Sequence, residues 1–200
     1  MKLVTTLVTV AVVAVFAGCS SNKPRKEDVA ECTFLGSKEK APSWVCPHTR
    51  GEIAGYKDFG MGIFGKTAAG IQFQLDQATA AGRKDLAAQV QARVLASVKN
   101  AIQTTGVAGT PTETVDALAS SVVNQLTEAK LAGSKVVRQT TDEKGQLWVL
   151  VGMDIESSKR AIQEAVRTSM NNQQAQWQRV VGNRLQADMQ AEILKMSDAR

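Results

Sequence analysis

Apolar and polar positions change pattern several times along the chain. Residues 3–16 (LVTTLVTVAVVAVF) form an uncharged, mostly apolar run behind Met1 and Lys2. Residues 20–30 are polar and charged, with Pro24 and no period, and lead into a loop that runs to 50. The stretch 53–59 (IAGYKDF) predicts a strand, with Gly51, Gly55, Gly60, Gly62 and Gly65 marking bends or bulges. Between 67 and 104 the positions Ile71, Leu75, Ala78, Gly82, Leu86, Val90, Val94, Val98 and Ile102 recur every three or four residues. That spacing predicts one long helix with a single apolar stripe, in which Gly82 marks a bend or a close crossing.

Thr110-Pro111-Thr112-Glu113 has the form of a capping box with proline at the first helical position. The helix it opens is expected to bury Val115, Leu118, Val122 and Leu126 and to stop at Gly133. Residues 135–153 predict a hairpin turning at Asp142-Glu143-Lys144-Gly145, and the unbroken apolar run 147–151 predicts a strand covered on both faces. Beyond Ile155, the residues Ile162, Val166, Met170, Trp177, Val181, Leu185, Met189 and Ile193 form a last stripe, interrupted at Gln173 and Gln174. The expected fold is α+β, in the order β-α-α-β-β-α: a small antiparallel sheet packed by helices on one face, with a long C-terminal helix. The expected organisation is a leader (1–18), a tether and stapled loop (19–50), an α+β domain (51–155) and a C-terminal amphipathic helix (156–200). The width of that last stripe suggests self-association through 156–196.

The N-terminal run is too short for a membrane span, which needs about 20 residues, and fits a secretory leader. It ends in Phe16-Ala17-Gly18-Cys19-Ser20, which resembles the bacterial lipobox, with Phe16 where Leu is commoner. Small residues at 17 and 18 suit a narrow peptidase cleft, and the Cys19 thiol is the expected acceptor for a diacylglycerol group. Ser20, rather than Asp, after that cysteine favours the outer membrane. Export also makes Cys32 and Cys46 a disulfide by expectation. The rival, a metal held by Cys32, Cys46 and His48, lacks a CxxC spacing.

Composition adds mostly exclusions. The chain is 44% hydrophobic and 22% charged, ordinary for a globular domain. A net charge of +5, evenly spread, does not point to nucleic acid. With one His and three Cys there is little material for metal or acid–base chemistry, and no catalytic residue, cofactor or metal is expected. Asp76 and Asp85 are expected to face solvent, His48 to be solvated, and Trp148 to lie in the core.

One motif argues the other way. Gly60 to Thr67 (GMGIFGKT) matches GxxxxGK[ST], follows a candidate strand and precedes a helix, and Gly60 to Gly65 also fits GxGxxG. The alternative function is therefore nucleotide binding through Lys66 and Thr67, with Asp154 loosely like a magnesium-holding carboxylate. Against it stand a topology without alternating strand–helix units and an export compartment without nucleotide triphosphates. The preferred reading is a glycine-rich bend with Lys66 and Thr67 in the first helical turn.

The lipobox, Pro42-Ser43-Trp44, the Gly-rich strand, residues 66–70 (KTAAG), the stretch 77–90 (QATAAGRKDLAAQV) and the hairpin end 147–154 (LWVLVGMD) together resemble the bacterial Lpp-twenty lipoproteins over about 42–155. The resemblance implies a small, non-enzymatic outer-membrane lipoprotein without catalytic residues. FlgP-type flagellar relatives imply partners among envelope or flagellar proteins, alongside the bilayer itself.

Overall fold

A computed structural model describes residues 31–126, 133–182 and 186–198. All of them fall in one compact unit, Glu31–Arg200. The elements are β1 (Tyr56–Phe64), α1 (Ile71–Thr105), α2 (Thr112–Gln125), β2 (Lys135–Thr141), β3 (Leu147–Asp154), α3 (Ile155–Asn172), α4 (Gln174–Val181) and α5 (Gln186–Asp198). The sheet is antiparallel with strand order β1-β3-β2.

The expected α+β order therefore stands, and two of its details change. The first strand begins later than predicted and runs on through Gly60 and Gly62 to Phe64, so those glycines are strand residues. The C-terminal segment is not one long helix. It is broken at Gln173 (φ −124°, ψ 39°), and α4 ends at Gly182 (φ 63°), where the left-handed backbone favours glycine. Three short helices let the apolar stripe fold back over the core. Ile162, Val166, Met170, Trp177, Val181, Met189 and Ile193 are all buried within the chain's own domain. Leu185 lies outside the described residues. Self-association through 156–196 would have to use other side chains of that segment.

The capping box is not formed either. Pro111 is itself the N-cap of α2, and the Thr110 hydroxyl donates backwards to the Val107 carbonyl at 2.6 Å. Proline at the cap has neither an amide for Glu113 to reach nor a side-chain acceptor. α2 also ends before the predicted stop at Gly133: its last residue is Gln125, and Leu126 (φ −82°, ψ 69°) is its C-cap.

Central β3 is buried on both faces, as its unbroken apolar run predicts. Leu147, Val149, Val151 and Met153 enter the main core beneath the helices. Trp148 belongs to a second cluster with Cys32, Phe34 and Val45, against which Met61, Ile63 and Trp44 pack. The helices thus cover one face and the 31–50 loop covers the other. At the tip of the hairpin, Gly145 has φ 76°, and Asp142 Oδ1 accepts the amides of Lys144 (3.0 Å) and Gln146 (2.9 Å).

Candidate functional site

Cys19 lies outside the described residues. The sequence-predicted pair that the structure does place is Cys32 and Cys46, which form a disulfide with Cα atoms 5.7 Å apart. The bond closes a loop that folds as a small hairpin. Thr33 bridges to Lys40, and the Phe34 amide donates to the Glu39 carbonyl at 3.1 Å. Phe34 is driven inward onto Trp148, with ring centroids 5.2 Å apart, and the indole N–H donates to Asp142 Oδ2 at 3.2 Å. Few apolar residues serve this second face, so the staple supplies what a larger core otherwise would. Replacing both cysteines by alanine is expected to lower stability by about 3 kcal/mol. Urea titration followed by tryptophan fluorescence checks this, and an unchanged midpoint would show that the loop holds without its bond.

Further along the loop, Arg50 donates from Nε to the Trp44 carbonyl at 3.0 Å and sits 5.5 Å from the Phe59 ring centroid. Burial lowers the guanidinium's pKa from its ordinary value, and the Asp85 charge works against that shift. His48 is exposed on the same loop. Among the described residues, no group of three His, Cys, Asp or Glu side chains is placed to hold a metal ion.

The GMGIFGKT segment has a definite structural task. Gly60 pairs with Val151 and Gly62 with Val149, on the face that α1 crosses. A Cβ at Gly60 would overlap the Gly82 carbonyl and lie 2.8 Å from the Leu86 Cα. One at Gly62 would overlap the Ala78 carbonyl and lie 2.6 Å from the Gly82 nitrogen. The glycines let helix backbone rest on strand backbone, so Gly82 serves the close crossing rather than a bend. Gly65 meets nothing and ends the strand. Lys66 and Thr67 are not in the first helical turn, because α1 begins at Ile71. The stem of Lys66 passes over Gly145, and the Thr67 hydroxyl accepts the Ala69 amide at 3.2 Å. Backbone locked in a ladder does not cradle a phosphate as a phosphate loop does. Calorimetric titration of ATP with magnesium is expected to give no saturable heat for the native protein or for Lys66→Ala. Saturable binding lost in the variant would restore the nucleotide reading.

Of the two aspartates on α1 expected to face solvent, one departs from that role and one keeps it. Asp85 does not simply face solvent: its Oδ2 accepts the Met61 amide at 2.8 Å, closing a hydrogen-bond site on the free edge of β1. Asp76 is exposed and accepts from Gln72 at 3.0 Å. Asp154 is the N-cap of α3 and accepts the Ser157 amide at 2.8 Å. That hydrogen bond is the largest cause of a pKa lowered from the ordinary 3.8. A depressed carboxylate pKa stabilises the fold at pH above the unfolded value, and the contribution fades as pH falls through the folded one. Asp154→Ala is therefore expected to melt earlier than the native protein at pH 7, with the gap closing towards pH 2. A gap independent of pH would contradict the cap.

One polar cluster has no counterpart in the sequence reading. Asp58 on β1 is buried and ion-paired through both carboxylate oxygens with Arg93 of α1, and Ser158 of α3 donates to Asp58 Oδ2 at 2.8 Å. Arg93 Nε is buried without a partner. The signal available was a charged residue at 93 in step with Leu86, Val90 and Ala101 on the buried side of α1. The cluster joins three elements and contains no nucleophile–base pair. A groove of about 520 Å³ between the 107–111 link and α4, lined by Thr110, Glu113, Gln176 and Arg179, has no such pair either.

The disulfide covers one face of the sheet, the glycines seat α1 against β1, and the buried ion pair joins β1 to α1, so each serves the packing of the fold. No described helix is long and apolar enough to cross a membrane. The LPP20 lipoprotein family matches residues 53–154, from just before β1 to the end of β3, and the chain belongs to that family. It is thus an envelope lipoprotein, in a family not known for enzymatic activity. No curated protein matches the chain.

Proposed function

We propose that this protein is a non-enzymatic outer-membrane lipoprotein that serves as a tethered structural and interaction module of the cell envelope. Residues 1–18 are removed, Cys19 carries diacylglycerol and palmitate-type acyl chains, and the domain from Glu31 onward contacts other envelope proteins. A flagellar partner is the specific case raised by the family's relatives. The family match over 53–154 is the observation that carries this reading. Each buried acyl methylene contributes about 0.8 kcal/mol, so two or more chains hold the protein on the bilayer. The test is envelope fractionation on a density gradient, with crosslinking in cells and mass spectrometry of the adducts. The native protein is expected in the outer-membrane fraction with envelope proteins attached, and Cys19→Ser is expected to leave that fraction. Native protein in the cytosol, or a variant that still sediments with the outer membrane, would overturn the proposal.

A further inference from the structure

One pole of the domain carries large apolar side chains that the described residues leave exposed. The loop hairpin ends in a turn closed by the Ser37 amide donating to the Phe34 carbonyl at 3.0 Å, with Gly36 at φ 73°. Phe34 is buried beneath it, which leaves Leu35 at the tip, 82% exposed. The same hairpin is fastened to the β2–β3 turn, because Glu39 Oε2 accepts the Glu143 amide at 3.0 Å. That turn is in turn fastened to the start of α1. Gln74 donates to the Gly145 carbonyl at 2.7 Å and to the Phe64 carbonyl at 3.1 Å. Phe73 meets Phe64 edge-on at 5.9 Å and is 44% exposed, beside Ile71 at 66%. Leu35, Ile71 and Phe73 therefore share one end of the molecule, held there by hydrogen bonds and a disulfide. Val107 lies past the far end of α1, about 50 Å along that helix, and Ile155 follows the far end of β3.

The described chain begins on the same hairpin, a few residues before Leu35. Glu31 pairs with Lys40 at 3.0 Å, at the base of the same hairpin. Eleven residues lie between Cys19 and Glu31, and the twelve Cα–Cα steps reach at most about 43 Å. A short tether keeps a weak apolar contact at high effective concentration. The rim is mixed in sign, with Lys38, Lys66 and Lys144 exposed alongside Glu143 and Asp76. Recognition therefore rests on the apolar tips, with lysine stems able to lie along the interface.

We infer that this pole is a second membrane contact, at which Leu35, Ile71 and Phe73 enter the interfacial layer of the bilayer that holds the tether. The inference rests on acylation of Cys19. It orients the domain, with the 107–111 link and α4 directed away from the membrane towards partners. The test uses the mature lipoprotein in nanodiscs whose phospholipid headgroups carry a gadolinium chelate, with amide relaxation read by NMR. Relaxation is expected to be enhanced several-fold more at Leu35, Ile71 and Phe73 than at Val107 and Ile155. The triple variant Leu35→Ser/Ile71→Ser/Phe73→Ser should level that difference while keeping the native circular dichroism. Uniform enhancement in acylated protein, or stronger enhancement at Val107, would overturn the inference and leave the tether intact, as would a pole that partner protein covers. A mature protein found by mass to lack acyl chains would remove the tether and this inference together.

Discussion

Gly62→Ala is expected to cost about 3 kcal/mol or more and to lower the melting temperature by roughly 10 °C. The new methyl group would overlap the Ala78 carbonyl and crowd the Gly82 nitrogen. Both are backbone atoms of α1, so relief requires the whole helix to rise from the sheet, loosening Ala78, Leu86 and Val90 above Val149 and Val151. Gly65→Ala is the control within the same motif. It meets nothing and has no left-handed backbone, so its effect should stay within about 0.5 kcal/mol. A phosphate-binding loop would reverse the ranking, because the glycine next to the lysine would then matter most. Thermal melts of the two variants decide between these patterns, and equal losses would contradict the packing account.

Asp58→Ala should be comparably severe, at about 3–5 kcal/mol, because it leaves the Arg93 guanidinium buried without its carboxylate. Ser158→Ala removes one hydrogen bond to that carboxylate and should cost about 1 kcal/mol. Replacing both charges, as in Asp58→Leu/Arg93→Met, is expected to recover much of the loss, since no charge then stays unpaired. Chemical denaturation of the two single variants and the double variant measures the coupling. Additive losses would mean that the two groups do not act as a pair.

These two sites also show where the sequence stops being legible. The helix over 71–105, the hairpin at 142–145 and the doubly buried β3 follow from periodicity and turn chemistry, which are local. The disulfide follows from compartment and spacing. Gly60 and Gly62 have the same appearance in sequence whether they turn a chain or admit a helix. Only the position of Gly82, twenty residues later, distinguishes the two, and that is tertiary information. Asp58, Arg93 and Ser158 are brought together across separations of 35 and 65 residues, which no local pattern encodes. In the C-terminal segment the stripe was visible, but its folding back at Gln173 and Gly182 depended on space left beside α1 and α2.

The central claim is that acyl chains on Cys19 hold this domain to the envelope. Mass spectrometry of the N-terminal peptide from membrane-extracted protein tests it most directly. The account predicts a first residue corresponding to Cys19, heavier by a diacylglycerol and further acyl mass. A peptide that begins at Met1, or a Cys19 of unmodified mass, would contradict it.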